Sequence, residues 1–125
     1  MHKINTLDDL SISDKYKDFL KIFLSNVSRL ESVIKVILFG SLAKGNFNPK
    51  SDVDLFIITK EEPTQEEEFY IMADCAPSYD SEFYIQSDIL VCSKNTYEQF
   101  KYETGMVQKY VEIEGIDLSG LLQEC

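Results

Sequence analysis

The sequence predicts an α/β domain, because segments with helical periodicity alternate with short apolar strands along the chain. An amphipathic stripe between residues 16 and 30 and the buried strand that follows it carry most of this prediction. The chain has 125 residues, 44% of them hydrophobic, which suffices for one core. We therefore expect residues 1–125 to form a single domain.

The first helix is predicted from apolar side chains that recur at steps of three and four residues, which places them on one helix face. They are Tyr16, Phe19, Leu20, Phe23, Leu24, Val27 and Leu30. Ser11 and Asp14 lie three residues apart ahead of this stripe, in the arrangement of a capping box. We therefore expect a helix that begins near Ser11 and buries one face.

Three strands are predicted from apolar and β-branched runs that turn residues separate. The first, Val33–Phe39, is apolar almost throughout, as in a strand buried on both faces, and it ends at Gly40. The second, residues 52–59, follows a turn at Asn48-Pro49. The third run opens at Phe83 and extends to residue 91, so the chain supplies at least three strands for a sheet.

Two further helices are predicted from their starting residues. Thr64 is followed three residues later by Glu67, so a capping box is expected there. Asn95 or Thr96 is expected to cap the last helical region, which Gly105 interrupts. Helices thus follow the second and the third strands.

The charge balance limits the classes of partner. There are 22 acidic and 12 basic residues, for a net charge of −10, so polyanions are repelled and general nucleic-acid binding is unlikely. No apolar run approaches the roughly 20 residues of a membrane span, and the N-terminus lacks the apolar core of a signal peptide. We expect a soluble cytoplasmic protein with no membrane partner.

Cysteine and histidine content excludes several kinds of site. Cys75, Cys92 and Cys125 are widely spaced and odd in number, so neither a disulfide framework nor a paired zinc motif is predicted, and reduced thiols are expected. His2 is the single histidine, and we expect it in a frayed terminus. A histidine-based catalytic triad is therefore excluded.

Two aspartates at alternate positions form the first part of a candidate site. Residues two apart in a strand project from the same face, so Asp52 and Asp54 would lie side by side while Val53 packs on the other face. Carboxylates this close repel each other, and Mg²⁺ prefers such oxygen ligands together with phosphate oxygens. Taken alone, the pair also fits an edge strand whose carboxylates are simply hydrated.

The segment before these aspartates suits phosphate. Gly40 permits a tight turn at the strand end, and Ser41 offers a hydroxyl beside the amides of a short helix. Gly40 and Gly45 have the outer spacing of a P-loop, but Asn46-Phe47 stands where that motif requires Lys-Ser or Lys-Thr. A Walker-type phosphate site is therefore excluded.

The two parts together resemble a known signature. Gly40-Ser41, ten intervening residues and then Asp52-Val53-Asp54 resemble the motif of the nucleotidyltransferase superfamily that includes DNA polymerase beta, and in particular its minimal, single-domain members. The resemblance implies an α/β (α+β) fold with a small mixed β-sheet flanked by helices. It also implies two divalent ions, expected to be Mg²⁺, and ATP or another nucleoside triphosphate as substrate.

The resemblance calls for a third acid on a later strand, and Asp88 is the candidate for this metal ligand and for help in deprotonating the acceptor. An outward-facing role for Asp88 and the turn acids Asp80 and Glu82 stay open as alternatives. The superfamily often has arginine where Leu42 and Lys44 stand here. Lys44 keeps a charge but loses bidentate phosphate binding, so it is expected to contact phosphate only electrostatically.

The resemblance further implies an activity and several acceptors. It implies transfer of a nucleoside monophosphate, AMP when ATP is the donor, to an acceptor hydroxyl with release of pyrophosphate. Small members resemble antitoxins that modify a HEPN-domain toxin, which is the preferred expectation for a partner. Enzymes that modify aminoglycosides and an inactive module that only binds its partner are the alternatives, and homo-oligomer formation is a further possibility.

Overall fold

The computed structural model describes residues 1–45 and 48–122, which form a five-stranded mixed β-sheet covered by helices. The strands are β1 (His2–Lys3), β2 (Val33–Phe39), β3 (Val53–Thr59), β4 (Ser87–Ser93) and β5 (Ile116–Asp117). The helices are α1 (Asp14–Val27), α2 (Gly40–Lys44), α3 (Gln65–Phe69), α4 (Lys94–Phe100) and α5 (Val107–Glu114). The predicted α/β class with a small mixed sheet is confirmed.

The strand order across the sheet is β1-β5-β2-β3-β4. The central strands β2 and β3 are antiparallel, whereas β3 and β4 are parallel. A parallel pair needs a crossover, and here α3 and a π-helical turn over Tyr70–Asp74 supply it. As a result, the end of β2 lies at the same edge of the sheet as the starts of β3 and β4.

The apolar stripe of α1 packs against one face of the sheet. Six of the seven predicted side chains are buried within the helix, and the seventh, Leu30, follows its end and packs against the same core. Burying each large apolar side chain contributes about 1.5–3 kcal/mol, so α1 is held mainly by this face. The predicted start was wrong: the N-cap is Ser13, its side chain makes no capping hydrogen bond, and Ser11 lies outside the helix.

Helices α4 and α5 cover the opposite face. Its core consists of Ile37, Phe56, Ile58, Cys92, Tyr97 and Val111. The predicted interruption at Gly105 is confirmed, because this glycine has a φ of 90° between the two helices. The cap of α4 is Ser93, whose hydroxyl accepts from the amide of Thr96, so the predicted caps at Asn95 or Thr96 were two or three positions late.

The third strand begins later than predicted. It starts at Ser87, and residues 83–86 lie in a turn and an irregular segment. β3 begins at Val53, whose amide donates to the Gln86 carbonyl at 3.0 Å, so nothing in β3 remains to pair with Phe83. Only residues 83–86 of the predicted run lie outside the strand, in a largely exposed loop.

Both ends of the described chain add an edge to the sheet. The prediction that His2 lies in a frayed terminus was wrong, because β1 pairs with β5 and the amide of His2 donates to the carbonyl of Gly115 at 3.2 Å. Each of these strands has two residues, too few for a periodic pattern to reveal them. The short strands extend the sheet beside β2.

The remaining local predictions have mixed outcomes. Thr64 and Glu67 form the predicted capping box at the start of α3. Cys75 and Cys92 are buried free thiols, and burial raises the pKa of each to about 11, so both stay protonated near neutral pH. Cys125 lies outside the described residues. In the part of the chain that the structure describes, no helix is long and apolar enough to cross a membrane.

Candidate active site

Three aspartates converge at one edge of the sheet because of the strand register. Asp54 of β3 pairs with Asp88 of β4 in the parallel ladder, so both project from the same face. Asp52 lies two residues earlier and immediately precedes β3. The structure therefore places all three predicted acids at the edge where β2 also ends.

Gly40 makes the closest approach to Asp54. It is the first residue of α2, has a φ of 75°, and follows the residue that pairs with Asp54 across the sheet. A Cβ atom built on Gly40 would lie only 2.1 Å from Asp54 Oδ2. Glycine is therefore required here for two reasons, the left-handed backbone and the space that the carboxylate occupies.

The environment of Asp54 disfavours its ionised form. Partial burial raises the pKa of the Asp54 carboxyl above its ordinary value, and the negative charges of Asp88 and Asp52 raise it further. Its neighbours on either side in β3, Val53 and Leu55, are fully buried on the α1 face of the sheet. Asp54 is thus fixed by the strand in a crowded, negative environment that a bound cation would relieve.

The donor set suits a hard cation, although it is not a closed cage. Within residues 1–45 and 48–122, no group of three or more His, Cys, Asp or Glu side chains lies close enough to hold a metal ion. Mg²⁺ is commonly bound by one or two carboxylates together with substrate phosphates rather than by protein ligands alone. Half-buried Asp52 and Asp54, with exposed Asp88 beside them, fit that mode of binding.

The predicted phosphate-binding residues lie on α2, directly after Gly40. Ser41 is half-buried at the second position of this helix. Lys44 is turned toward α5, where its Nζ lies 3.1 Å from Glu114 Oε2 and 4.9 Å from the centre of the Tyr110 ring. The hydrogen bonds to Tyr110 and Glu114 raise the pKa of Lys44, which is therefore charged but already engaged.

Leu42 is buried, whereas Ser41 before it is half-buried and Lys44 after it is exposed. Its side chain is 3% exposed and belongs to the core on the α1 face. An apolar residue at this position anchors the short helix α2 to the core, whereas a charged side chain would be buried among the apolar side chains of that cluster. The departure from arginine at Leu42 therefore has a packing reason.

An aromatic wall supports the site on the α5 side. The Phe39 ring packs edge-on against Phe56 and Tyr110, with ring centres 6.5 and 6.2 Å away. Phe39 directly precedes Gly40, and Tyr110 also contacts Lys44. This wall holds the end of β2 and the start of α2 against α5.

Sequence reasoning missed the contacts that involve α5. Glu114 and Tyr110 lie one helical turn apart in α5. Tyr110 comes 66 residues after Lys44 in the chain, so only the fold brings these side chains together. The spacing of four residues between them was a visible signal of a shared helix face. It gave no indication of which lysine that face would meet.

The fold thus combines a glycine turn at the end of β2 with aspartates on the two neighbouring strands. The model of the family described as "Nucleotidyltransferase domain" matches residues 18–118. This range takes in most of the chain and contains every candidate site residue. The chain belongs to the nucleotidyltransferase domain family.

Two individual proteins are similar to parts of the chain. A protein of Methanocaldococcus jannaschii described as a "putative protein adenylyltransferase" is 40% identical over 52 residues, which are 40% of this chain and 52% of that protein. The chain thus spans about half the length of this curated relative. A crystal structure described as a "putative nucleotidyltransferase" from Sulfolobus solfataricus is 18% identical, covering 71% of this chain and 82% of that one with a TM-score of 0.42.

Proposed function

We propose that the protein transfers a nucleoside monophosphate, AMP from ATP, to an acceptor hydroxyl. The observation that carries this proposal is the placement of Asp54 between the Gly40 turn and Asp88 at one edge of the sheet. Family membership supports the reaction class, and the adenylyltransferase named among the relatives supports AMP as the transferred group. In the reaction, the acceptor oxygen bonds to the α-phosphorus while the bond to pyrophosphate breaks.

The carboxylates are proposed to hold divalent cations, expected to be two Mg²⁺ ions. Asp52, Asp54 and Asp88 are the proposed ligands, and their mutual repulsion favours cation binding. When bound, such ions supply Lewis-acid stabilisation of phosphate oxygens. The rigid strands supply the positioning, since Asp54 and Asp88 are fixed in register by the β3–β4 ladder.

The other residues are assigned roles in binding and proton transfer. The Ser41 hydroxyl is proposed to donate to a terminal phosphate oxygen, with Gly40 leaving room for the approach of the nucleotide. Lys44 is proposed to add positive charge on release from Glu114. Asp88, the most exposed of the three acids, is proposed to accept the proton that the acceptor hydroxyl loses.

A protein is the proposed acceptor. The relative in Methanocaldococcus jannaschii carries the description of a protein adenylyltransferase, and the net charge of −10 favours a basic partner. We propose a HEPN-type toxin as that partner, with this chain acting as its antitoxin in the cytoplasm. An aminoglycoside, also cationic, is the alternative acceptor on the same charge argument.

A second candidate function is binding without catalysis. It is favoured by one observation: Lys44, the predicted phosphate contact, is paired with Glu114 and stacked on Tyr110. In that case the chain would neutralise its partner through contact alone.

The test is transfer of label from ATP carrying ³²P at the α-phosphate, with Mg²⁺ present, to the product of the neighbouring gene. The expected result is labelled partner with the wild-type chain and none with Asp54→Asn or Asp88→Asn. Asp74→Asn is the matched control, because Asp74 is an exposed aspartate at the end of the crossover, outside the three strands that form the site. It should retain wild-type transfer.

Three outcomes separate the alternatives. Equal labelling by wild type and Asp54→Asn would contradict the proposed mechanism. A tight complex that carries no label would favour the binding module. Loss of transfer in Asp80→Asn with full activity in Asp88→Asn would assign the third acid to the turn instead of β4.

A further inference from the structure

An exposed aromatic loop leads into β4 at the end of the sheet that carries the candidate active site. We define the aromatic loop as residues 78–86, between the crossover and β4. It exposes Tyr79 by 85%, Phe83 by 39% and Tyr84 by 42%, and the rings of Tyr79 and Tyr84 contact each other with centres 5.1 Å apart. Three exposed aromatic side chains within six residues are a feature of binding surfaces more than of solvated loops.

The position of the aromatic loop follows from the sheet. Gln86 at its end accepts a hydrogen bond from the amide of Val53, the residue between the two motif aspartates. On its other side, the start of α1 contacts the segment before Asp52, since the Tyr16 hydroxyl donates to the Ser51 carbonyl at 2.9 Å. The loop and the start of α1 therefore lie at the same end of the sheet as the carboxylates, which project from the opposite face.

A cleft of about 360 Å³ separates the aromatic loop from α1. Its walls combine aromatic surface from Phe83 and Tyr84 with the carboxylates of Asp18 and Glu82. Neither carboxylate forms an ion pair within the described residues. The one lysine of the cleft, Lys15, donates to the Pro49 carbonyl and lies over the Tyr16 ring.

We propose that the aromatic loop and this cleft bind a cationic segment of the acceptor protein, from which the part that carries the hydroxyl extends around the end of the sheet to the carboxylates. This inference rests on the proposed function and adds to it the chemistry by which the acceptor is chosen. Ring faces attract lysine and arginine through cation–π contacts, and two unpaired carboxylates attract the same side chains. A single lysine or arginine side chain can therefore contact both the aromatic rings and the carboxylates of the cleft.

Charge distinguishes this occupant from other ligands. A nucleic acid would bring phosphates against Asp18 and Glu82 in a chain of net charge −10. An acidic peptide would meet the same repulsion. A basic peptide brings the complementary charge, and its association should weaken as salt is raised.

The test is fluorescence anisotropy with two synthetic tyrosine peptides and the full chain, without nucleotide. One fluorescein-labelled peptide has arginine and lysine around its tyrosine, and the other has glutamate at the same positions. We expect the wild-type chain to bind the basic peptide at least tenfold more tightly than the acidic one, as an order of magnitude. Glu82→Lys and Tyr84→Ser should each weaken the basic peptide by about fivefold.

Matched controls separate the surface from general charge and exposure. Glu31→Lys makes the same charge change at an exposed position that precedes β2, at the opposite edge of the sheet. Tyr102→Ser removes a tyrosine that is 75% exposed and lies outside the aromatic loop. Both controls should bind the basic peptide as the wild type does.

Equal affinity for the two peptides, or equal loss in Glu82→Lys and Glu31→Lys, would overturn the proposal. Failure of the proposed function looks different, since it would leave the binding pattern intact while no labelled AMP reaches any acceptor. If transfer occurs, the basic peptide should be labelled in preference, and Glu82→Lys should raise its KM while the KM for ATP stays unchanged.

Discussion

The two ends of strand β3 differ in whether their polar side chains have hydrogen-bond partners or face like charges. At the far end Thr59 is fully buried, yet its hydroxyl donates to the Glu61 carbonyl at 2.6 Å. Nearby, Ser32 donates to Glu67 at 2.7 Å and accepts from the Lys60 amide at 2.8 Å. At the site end, Asp54 faces two other carboxylates and the pKa of its carboxyl is raised.

This contrast separates stability from function along one strand. At the far end the buried polar groups form hydrogen bonds within the protein, so their transfer from water costs little free energy. The site end concentrates like charges beside a left-handed glycine, an arrangement that costs stability and is typical of functional sites. Substitutions at the two ends should therefore move different observables.

Outside the three carboxylates, the largest effect is expected for Gly40→Ala. Its Cβ would overlap Asp54 Oδ2 and displace the carboxylate, and misplacement of about 1 Å costs on the order of 100-fold in rate. The measurement is the initial rate of AMP transfer. Gly45→Ala is the control, since it has a φ of 78° but nothing within 4 Å of its added Cβ. Equal loss of rate in both variants would show that backbone strain alone explains the effect.

At the far end, Thr64→Ala should lower stability and leave the transfer rate unchanged. It removes the capping box with Glu67, worth about 1 kcal/mol, so the Tm should fall by about 3–5 °C. Ser11→Ala, at the cap that the sequence predicted, should change the Tm by less than about 1 °C, because it removes no cap. A larger fall for Ser11→Ala would contradict the observed start of α1.

The contribution of Glu67 should also depend on pH. Its hydrogen bonds from Ser32 and from the Thr64 backbone lower the pKa of Glu67 below its ordinary 4.5. Its stabilisation is therefore complete above pH 4.5 and is lost as the pH falls through the lowered folded-state value. The Tm difference between wild type and Ser32→Ala should shrink over that acid range in thermal melts.

Asp54→Asn should raise stability in metal-free buffer while it abolishes transfer. The pKa of Asp54 is raised in the folded chain, so ionisation costs stability at neutral pH, and the cost disappears as the pH falls through the raised value toward 3.8. Because the group is partly solvated, we expect a Tm gain of about 2 °C at pH 7. Adding Mg²⁺ should raise the Tm of the wild type only. A lower Tm for Asp54→Asn without metal would contradict the inference that ionised Asp54 destabilises the folded chain.

The smallest effect is expected for Glu114→Gln, which releases Lys44 from its exposed ion pair. Such pairs are weak because solvent screens them, so the KM for ATP should fall by about threefold with kcat unchanged. Glu103→Gln, at an exposed position between α4 and α5, is the isosteric control. An unchanged KM in Glu114→Gln would show that Lys44 does not act on the nucleotide.

Much of the local structure could be predicted because its signals lie within short segments. The apolar run Val33–Phe39 gave β2 its observed bounds, and the stripe from Tyr16 gave α1 its buried face. The α/β class followed from the alternation of these patterns. In contrast, β1 and β5 have two residues each, and the exposed aromatic loop from Phe83 imitated a strand because composition alone does not reveal a missing partner.

The sequence by itself determined the spacing of Gly40, Ser41, Asp52 and Asp54, because turn residues and strand periodicity act over a few positions. Only the tertiary structure decided that Asp88 sits in register with Asp54, that Gly40 packs against its carboxylate, and that Glu114 holds Lys44. Those contacts join segments that are far apart in the chain. They depend on strand order and helix packing, which the whole core fixes together.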